Sequence, residues 1–163
     1  MGREEYMQKV VYLVGVLLLA SPAFAQLAPK PLASQEELLK DKDPKLAANK
    51  KLVFDFWRIV LEARHLDEAD KYMRQDYMQH NPNAETGIAG FKAYFSKLGG
   101  PLPIEPKIKR EVISIVAQGD LVVLSFVQDN KDSKGQSYMT TWFDMFRIQD
   151  GKIAEHWDSA TKP

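Results

Sequence analysis

Three side chains that could transfer protons occur at regular spacing near the end of the chain. The stretch from Phe143 to Asp158 reads FDMFRIQDGKIAEHWD and places Asp144, His156 and Asp158 among apolar and aromatic residues. An aspartate held between aromatic walls can act as a general acid or base, and an imidazole can orient or assist it. The stretch therefore predicts acid/base chemistry in an apolar pocket.

The same stretch predicts two antiparallel strands, and the turn between them leaves two registers open. A two-residue loop at Asp150-Gly151 would pair Gln149 with Lys152. A type I turn with Gly151 in a left-handed bulge would instead pair Ile148 with Lys152. A slip of one residue changes every cross-strand partner, so the choice decides which side chains meet.

We prefer the second register because it gathers the polar side chains on one surface instead of burying each against an apolar one. In this register Asp144 faces His156, and Trp142 faces Asp158. Asp144 would then fix the orientation of the imidazole, and aromatic side chains would form the pocket wall. The opposite surface carries an apolar group, hereafter the outer-face cluster: Phe143, Met145 and Trp157.

The composition is typical of one globular domain, and the positive and negative charges of the chain balance. The chain has 163 residues, of which 45% are hydrophobic, and it contains 22 basic and 22 acidic side chains. We therefore expect no nucleic-acid partner, because nothing would attract a polyanion. The chain has no cysteine, which excludes disulfides and thiol nucleophiles.

Residues 1–25 have the layout of a secretory signal peptide. Arg3 and Lys9 surround a short start, an apolar run covers 10–20, and Ala23-Phe24-Ala25 forms a cleavage site. The alternative is an uncleaved membrane anchor, but the apolar run is short for a span. We expect cleavage after Ala25, a periplasmic or secreted protein, and no membrane contact afterwards.

The rest of the chain predicts a tether, then helices, then strands. Residues 26–42 are rich in proline, alanine and charge and predict a flexible tether, and the domain covers 43–163. Asp43-Pro44 caps a helix that should reach about Arg64. Its segment 52–61 is apolar on most sides, which predicts enclosure by a curved sheet.

Two shorter helices and four strands follow. We predict helices at 66–72 and 88–98, and strands at 107–117, 121–128, 137–148 and 152–159. Helices followed by an antiparallel meander give the α+β class. We expect the basic run at 107–110 to form a solvent-exposed face.

The motifs resemble a known family. The YMQHNP motif at 77–82, the GD turn at 119–120, FDMFRIQDGKI and EHWD are similar to the SnoaL-like branch of the NTF2-like superfamily. The resemblance implies a cone, in which a bent antiparallel sheet wraps a long N-terminal helix around a deep apolar cavity. It also implies aldol-type ring closure without metal or cofactor.

The resemblance also implies roles for particular residues. Asp158 would take a proton next to a carbonyl and return it to the aldolate oxygen, while His156 and His80 would donate hydrogen bonds to the enolate. We expect Asp144 to line the pocket beside His156, and we expect the aromatic pocket residues to be mainly wall: Trp142, Tyr77 and Tyr72. We expect no metal site, because no pair of ligands has helical or loop spacing.

Three functions remain open at this point. The first is an enzyme that acts on a small apolar carbonyl compound through Asp158 and His156. The second is a binding module that holds an apolar ligand without transforming it. The third is a structural dimerisation domain. A homodimer through the outer-face cluster is compatible with all three.

Overall fold

The structure is a computed structural model and describes residues 27–162. The predicted signal peptide lies outside the described residues. Within 27–162, no helix is both long enough and apolar enough to cross a membrane.

One long helix and several short ones precede most of the sheet. The helices are α1 (Gln35–Leu38), α2 (Pro44–Phe56), α3 (Ala69–Tyr72) and α4 (Ile88–Phe95). A π-helical segment at Trp57–Glu62 continues α2, and 3-10 turns at Leu66–Glu68 and Ser96–Leu98 adjoin α3 and α4. The predicted helices are therefore confirmed, although the π-helical end of the long helix was not expected.

The capping residues explain where the long helix begins. The Asp43 side chain accepts a hydrogen bond from the backbone N–H of Lys45 at 2.8 Å, and Pro44 occupies the first turn, where its missing N–H costs nothing. Val53, Phe56 and Val60 are buried on the side that faces the sheet. The predicted enclosure of this helix is confirmed.

Five strands form one bent sheet in the order β1-β5-β4-β3-β2. They are β1 (Met73–Gln79), β2 (Val112–Gln118), β3 (Leu121–Lys131), β4 (Ser137–Gln149) and β5 (Lys152–Asp158). Strands β2 to β5 form the predicted antiparallel meander. The α+β class and the bent sheet around a long helix are confirmed.

Strand β1 was missing from the sequence prediction. It lies at the sheet edge and pairs in parallel with β5, with Gln79 opposite His156. Only Met73 and Tyr77 of this strand are buried, and its sequence, MRQDYMQ, is accordingly mostly polar. An edge strand with so few apolar residues shows no clear alternation.

The preferred hairpin register was wrong. Asp150 and Gly151 both have positive φ angles, 52° and 70°, as a two-residue type I′ loop requires, and Gln149 pairs with Lys152. A bulge at Ala154 then shifts the pairs, so that neither predicted register describes the strands.

The bulge changes partners but preserves faces. Asp144 lies opposite Asp158 instead of opposite His156, and Phe146 lies opposite His156. The observed partner of Asp144 is two residues further along β5 than the predicted one. Because side chains alternate with a period of two, the predicted groups still share the inner face.

The segment predicted as a tether makes specific contacts with the domain. It contains α1, and the backbone N–H of Leu32 donates to the Ile113 carbonyl at 3.0 Å. The Gln35 side chain donates to the Ile108 carbonyl and accepts from the Ile108 N–H, at 2.8 and 3.0 Å. In residues 27–42 the structure therefore differs from the expected free linker.

Candidate functional site

A cavity of about 360 Å³ lies between the long helix, α4 and the inner face of the sheet. This volume is sufficient for a small organic ligand. Its walls are mainly aromatic and include Phe56, Trp57, Tyr77, Phe91, Trp142 and Phe146. The sequence reasoning placed Tyr77 and Trp142 in this wall, and both are there.

The three predicted acid/base side chains meet on one wall of the cavity. Asp144, His156 and Asp158 each offer a ligand or proton-binding atom within 4.8 Å of those of the other two. All three residues line the cavity. Asp144 and Asp158 are direct cross-strand partners, so β4 and β5 hold their carboxylates side by side.

His156 is held by protein partners at both ring nitrogens. Nε2 lies 3.0 Å from Asp144 Oδ1, and Nδ1 lies 2.9 Å from Gln79 Oε1. The ring is stacked on Phe146, with centroids 4.7 Å apart, and the residue is buried. Both ring nitrogens of His156 therefore already have hydrogen-bond partners within the protein.

Asp158 is oriented by two hydrogen bonds. Its Oδ2 accepts from Asn81 Nδ2 at 2.6 Å, and its Oδ1 accepts from the Ala160 backbone N–H at 2.9 Å. Asp158 is only partly buried, unlike Asp144. A carboxylate oxygen can accept more than one hydrogen bond, so each oxygen of Asp158 can still accept a proton from a ligand in the cavity.

Asp144 is more enclosed and carries an unsatisfied oxygen. Its Oδ1 accepts from Trp142 Nε1 at 3.2 Å and contacts His156, whereas Oδ2 is buried and has no hydrogen-bond partner among the described residues. A buried acceptor without a donor is unfavourable by about 1–3 kcal/mol. A donor from a ligand or a water molecule would remove this cost.

Tyr77 brings a neutral phenol to the same wall. Burial raises its pKa, and the charges of Asp158 and Asp144 raise it further. Its ring is buried against Phe91 in an edge-on contact at 6.2 Å, and its hydroxyl has no hydrogen-bond partner among the described residues. The hydroxyl is therefore suited to donate to a ligand oxygen.

Two predicted pocket residues lie elsewhere. His80 stacks on Trp157 at 4.8 Å with nearly parallel rings, and its Nε2 is 3.5 Å from Glu155 Oε1, so it belongs to the outer face of the sheet. Tyr72 packs on Phe56 at 6.2 Å and does not line the cavity. The pocket roles expected for His80 and Tyr72 were wrong.

The alternation of β1 explains the misplacement of His80. Successive strand residues point to opposite faces, so Tyr77 and Gln79 face inward, and Asn81 follows them into the cavity. His80 lies between Gln79 and Asn81 and points outward. The YMQHNP motif therefore contributes its amides to the site and not its histidine.

Arg110 is a further cavity residue that the sequence did not indicate. It was assigned to a solvated basic face, but it is half-buried and lines the cavity. Its guanidinium lies over three aromatic rings: Trp57 at 5.9 Å, Phe126 at 4.8 Å and Trp142 at 6.0 Å. Cation–π attraction stabilises a guanidinium in such surroundings.

The carboxylate and imidazole groups are also close enough to share a cation. Carboxylate oxygens and imidazole nitrogen are suitable ligands for several divalent metals. In the described structure, however, the ring nitrogen nearest Asp144 is hydrogen-bonded to it, and the other is bonded to Gln79. The expectation of metal-free chemistry stays a prediction.

Comparison with known proteins identifies relatives of the fold. The family described as the SnoaL-like domain matches residues 53–156. No curated protein matches the sequence. A protein assigned as a SnoaL-like polyketide cyclase from Jannaschia sp. CCS1 superposes with a TM-score of 0.53. It is 19% identical, and the match covers 74% of this chain and 91% of its own.

Two further structures show how varied the relatives are. An NTF2-like protein of unknown function from Burkholderia pseudomallei K96243 has a TM-score of 0.52 and 12% identity, covering 70% of this chain and 91% of its own. An LEH-like epoxide hydrolase from M. tuberculosis has a TM-score of 0.51 and 15% identity, covering 71% and 84%. At such identities the similarity establishes the fold.

Proposed function

Because this chain belongs to the SnoaL-like domain family, we propose that it is an exported, cofactor-independent enzyme that performs acid/base chemistry on a small apolar carbonyl compound. The observation that carries the proposal is the group of two carboxylates and an imidazole within 4.8 Å of one another on the wall of an aromatic cavity. Proton-transfer groups gathered on the wall of such a cavity are typical of active sites.

Asp158 is the proposed base. It removes a proton from the carbon next to the carbonyl, and the electron pair of the broken C–H bond forms the enolate. In an aldol-type closure the enolate carbon then bonds to a second carbonyl carbon, and Asp158 returns the proton to the resulting alkoxide. Asn81 and the Ala160 N–H hold the carboxylate in one orientation throughout.

The neighbouring groups hold the base and meet the developing charge. The Gln79–His156–Asp144 chain fixes the inner face of β5 next to Asp158. Tyr77 supplies the hydrogen bond to the enolate oxygen that was expected from His156. Donors aimed at such an oxygen in a water-poor site account for much of the rate enhancement in enolate chemistry.

Replacing Tyr77 with phenylalanine is expected to lower kcat by about 10²-fold, because one oxyanion donor is lost. KM and the free energy of unfolding should change little, since the ring contact with Phe91 remains and no protein hydrogen bond is lost. Steady-state kinetics and urea unfolding measure the two effects.

The matched control is Tyr94→Phe. Tyr94 also lines the cavity, and its ring packs on that of Phe95 at 5.1 Å. Turnover by this variant should equal that of the wild type. An equal loss in both variants would show that general wall packing matters and that the Tyr77 hydroxyl has no special role.

One observation favours a second function, a binding module without turnover. Both oxygens of Asp158 and both ring nitrogens of His156 already have protein partners. Such a network also serves simply to stabilise polar groups in a cavity wall. The carrier would bind the same class of apolar compound.

Incubation with a small-molecule extract of the source organism separates the two functions. The purified protein is mixed with the extract, and mass spectrometry identifies compounds that are bound and compounds that are transformed. Consumption of a carbonyl compound supports the enzyme. Retention of compounds with none consumed supports the binding module and contradicts the proposed activity.

We also propose that the protein is a homodimer through the outer-face cluster. Phe143 is 51% exposed, and it forms a shallow apolar surface with Met145 and Trp157. Light scattering should give the mass of two chains for the wild type and of one chain for Phe143→Glu, because a charge in a self-complementary interface is opposed by its own copy. A monomeric wild type would contradict this proposal.

A further inference from the structure

The guanidinium of Arg110 is a cation on an otherwise apolar part of the cavity wall. Arg110 lines the cavity and lies in the cage of Trp57, Phe126 and Trp142. Its Nε donates to the Val127 carbonyl at 3.4 Å, and its Nη2 donates to Gln128. These contacts fix the plane of the guanidinium, and Nη1 makes no hydrogen bond to any described residue.

No carboxylate of the described residues forms an ion pair with Arg110. Glu62 lies near the backbone of Arg110, since its two carboxylate oxygens accept from the backbone N–H groups of Lys109 and Arg110 at 2.7 and 2.9 Å. The charge of Asp144 also acts on Arg110, more strongly than that of Glu62 and without an ion pair. Burial accordingly lowers the pKa of Arg110, although the charges of Asp144 and Glu62 oppose this effect.

A half-buried guanidinium without a counter-ion is costly unless a ligand supplies one. Arginine presents its N–H groups in a fixed plane that suits carboxylates and other anionic oxygens. Of its aromatic neighbours, Trp57 and Trp142 also line the cavity and provide a flat apolar surface for the body of the ligand. The guanidinium and the two indole rings beside it therefore form one continuous part of the cavity wall, which offers a ligand both a cation and an apolar surface.

We propose that the ligand of this cavity is a flat apolar compound with one anionic oxygen group, a carboxylate or a stabilised enolate, and that Arg110 binds this group. The inference rests on the proposed function only in that it places the ligand in the same cavity. It adds the substrate class, because the small apolar carbonyl compound of that proposal then also carries an anionic group.

The negative charges of Asp144 and Asp158 determine how the anion lies. Trp142 contacts both Asp144 and Arg110: its indole N–H faces Asp144 Oδ1, and its ring face lies 6.0 Å from the guanidinium. The anionic group of the ligand therefore lies at the Arg110 end of the cavity, and the carbon that loses a proton lies at the Asp158 end. This orientation keeps the anionic group away from the negative charge of Asp158.

Isothermal titration calorimetry with 2-naphthoate and its neutral counterpart 2-naphthamide tests the inference. The two compounds have nearly the same shape and differ in charge. The wild type should bind the anion at least about tenfold more tightly, as expected for one charge-assisted hydrogen-bond pair. Equal affinities, a preference for the amide, or no binding of 2-naphthoate would overturn the inference.

Variants locate the preference. Arg110→Met should bring the two affinities to within about twofold while leaving that for the amide unchanged, because the charge alone is removed. Lys109→Met is the matched control: it removes the adjacent positive charge, which lies outside the cavity and pairs with Glu105, and it should keep the full preference. A full preference in Arg110→Met would contradict the assignment.

Two further measurements keep the outcome decisive. If circular dichroism shows that Arg110→Met is unfolded, Arg110→Lys replaces it, and a preference undiminished in that variant contradicts the requirement for a planar guanidinium. The preference should also persist in Asp158→Asn, which leaves Arg110 in place. If the protein prefers the anion but transforms no compound, the inference about Arg110 stands and the proposed enzyme activity is rejected. If the protein transforms a neutral ketone but shows no preference for the anion, the enzyme activity stands and the inference about Arg110 is rejected.

Discussion

Replacing Asp158 with asparagine is expected to lower turnover by about 10²–10⁴-fold, because the base that removes the carbon-bound proton is lost. The amide has the shape of the carboxylate, so the cavity wall keeps its form. Ligand affinity should therefore stay within about threefold of the wild-type value. Turnover is measured by steady-state kinetics and affinity by calorimetry with the same compound.

The stability of this variant should fall slightly. The two oxygens of Asp158 accept from Asn81 and from the Ala160 N–H, whereas an asparagine side chain has one acceptor oxygen, so one hydrogen bond is lost at a cost of about 1 kcal/mol. Asp67→Asn serves as the control, because Asp67 is exposed on a 3-10 turn remote from the cavity. Equal turnover in all three proteins would remove Asp158 from the chemistry.

Replacing Phe56 with alanine is expected to destabilise the protein by about 3–5 kcal/mol. Phe56 is 2% exposed and connects the long helix to both its neighbours: its ring lies 5.7 Å from that of Phe91 on α4 and 5.9 Å from that of Phe146 on β4. The loss would leave a void that joins the cavity. Urea unfolding followed by circular dichroism measures the change.

Phe143→Ala is the matched control for Phe56→Ala. It removes the same side chain from the outer face, where 51% of the residue is exposed, and should cost less than about 1 kcal/mol. The comparison is made at low protein concentration so that association through the outer-face cluster does not add to the stability. Similar costs for the two variants would mean that Phe56 does not hold the helix to the sheet.

The fold class was predictable because its main signals are local. The cap at Asp43-Pro44 and the apolar segment of the long helix identified an enclosed helix, and the meander showed apolar strands separated by turns. Strand β1 was not predictable in this way, since it lies at the edge and its pairing with β5 depends on contacts distant in sequence.

The site was predicted in part, for a related reason. Asp144, His156 and Asp158 were gathered on one face because a shift of two residues preserves the alternation, even though the bulge at Ala154 altered each pair. His80 was misplaced because the face of β1 could not be assigned without recognising the strand.

Arg110 shows what local patterns omit. Its basic neighbours suggest a solvated surface, but its position depends on packing against β3 and β4, where Phe126 and Trp142 lie. No spacing within the run 107–110 distinguishes the half-buried arginine from the exposed lysines beside it. Only the assembled sheet places it in the cavity.

Deuterium uptake from D₂O tests the central claim, that Asp158 removes a carbon-bound proton. Wild type and Asp158→Asn are incubated in D₂O with the small-molecule extract, and mass spectrometry records deuterium at carbon in each compound. A carbonyl compound should gain deuterium with the wild type and not with Asp158→Asn. Equal deuterium uptake with both proteins, or a compound bound by both and labelled by neither, would contradict it.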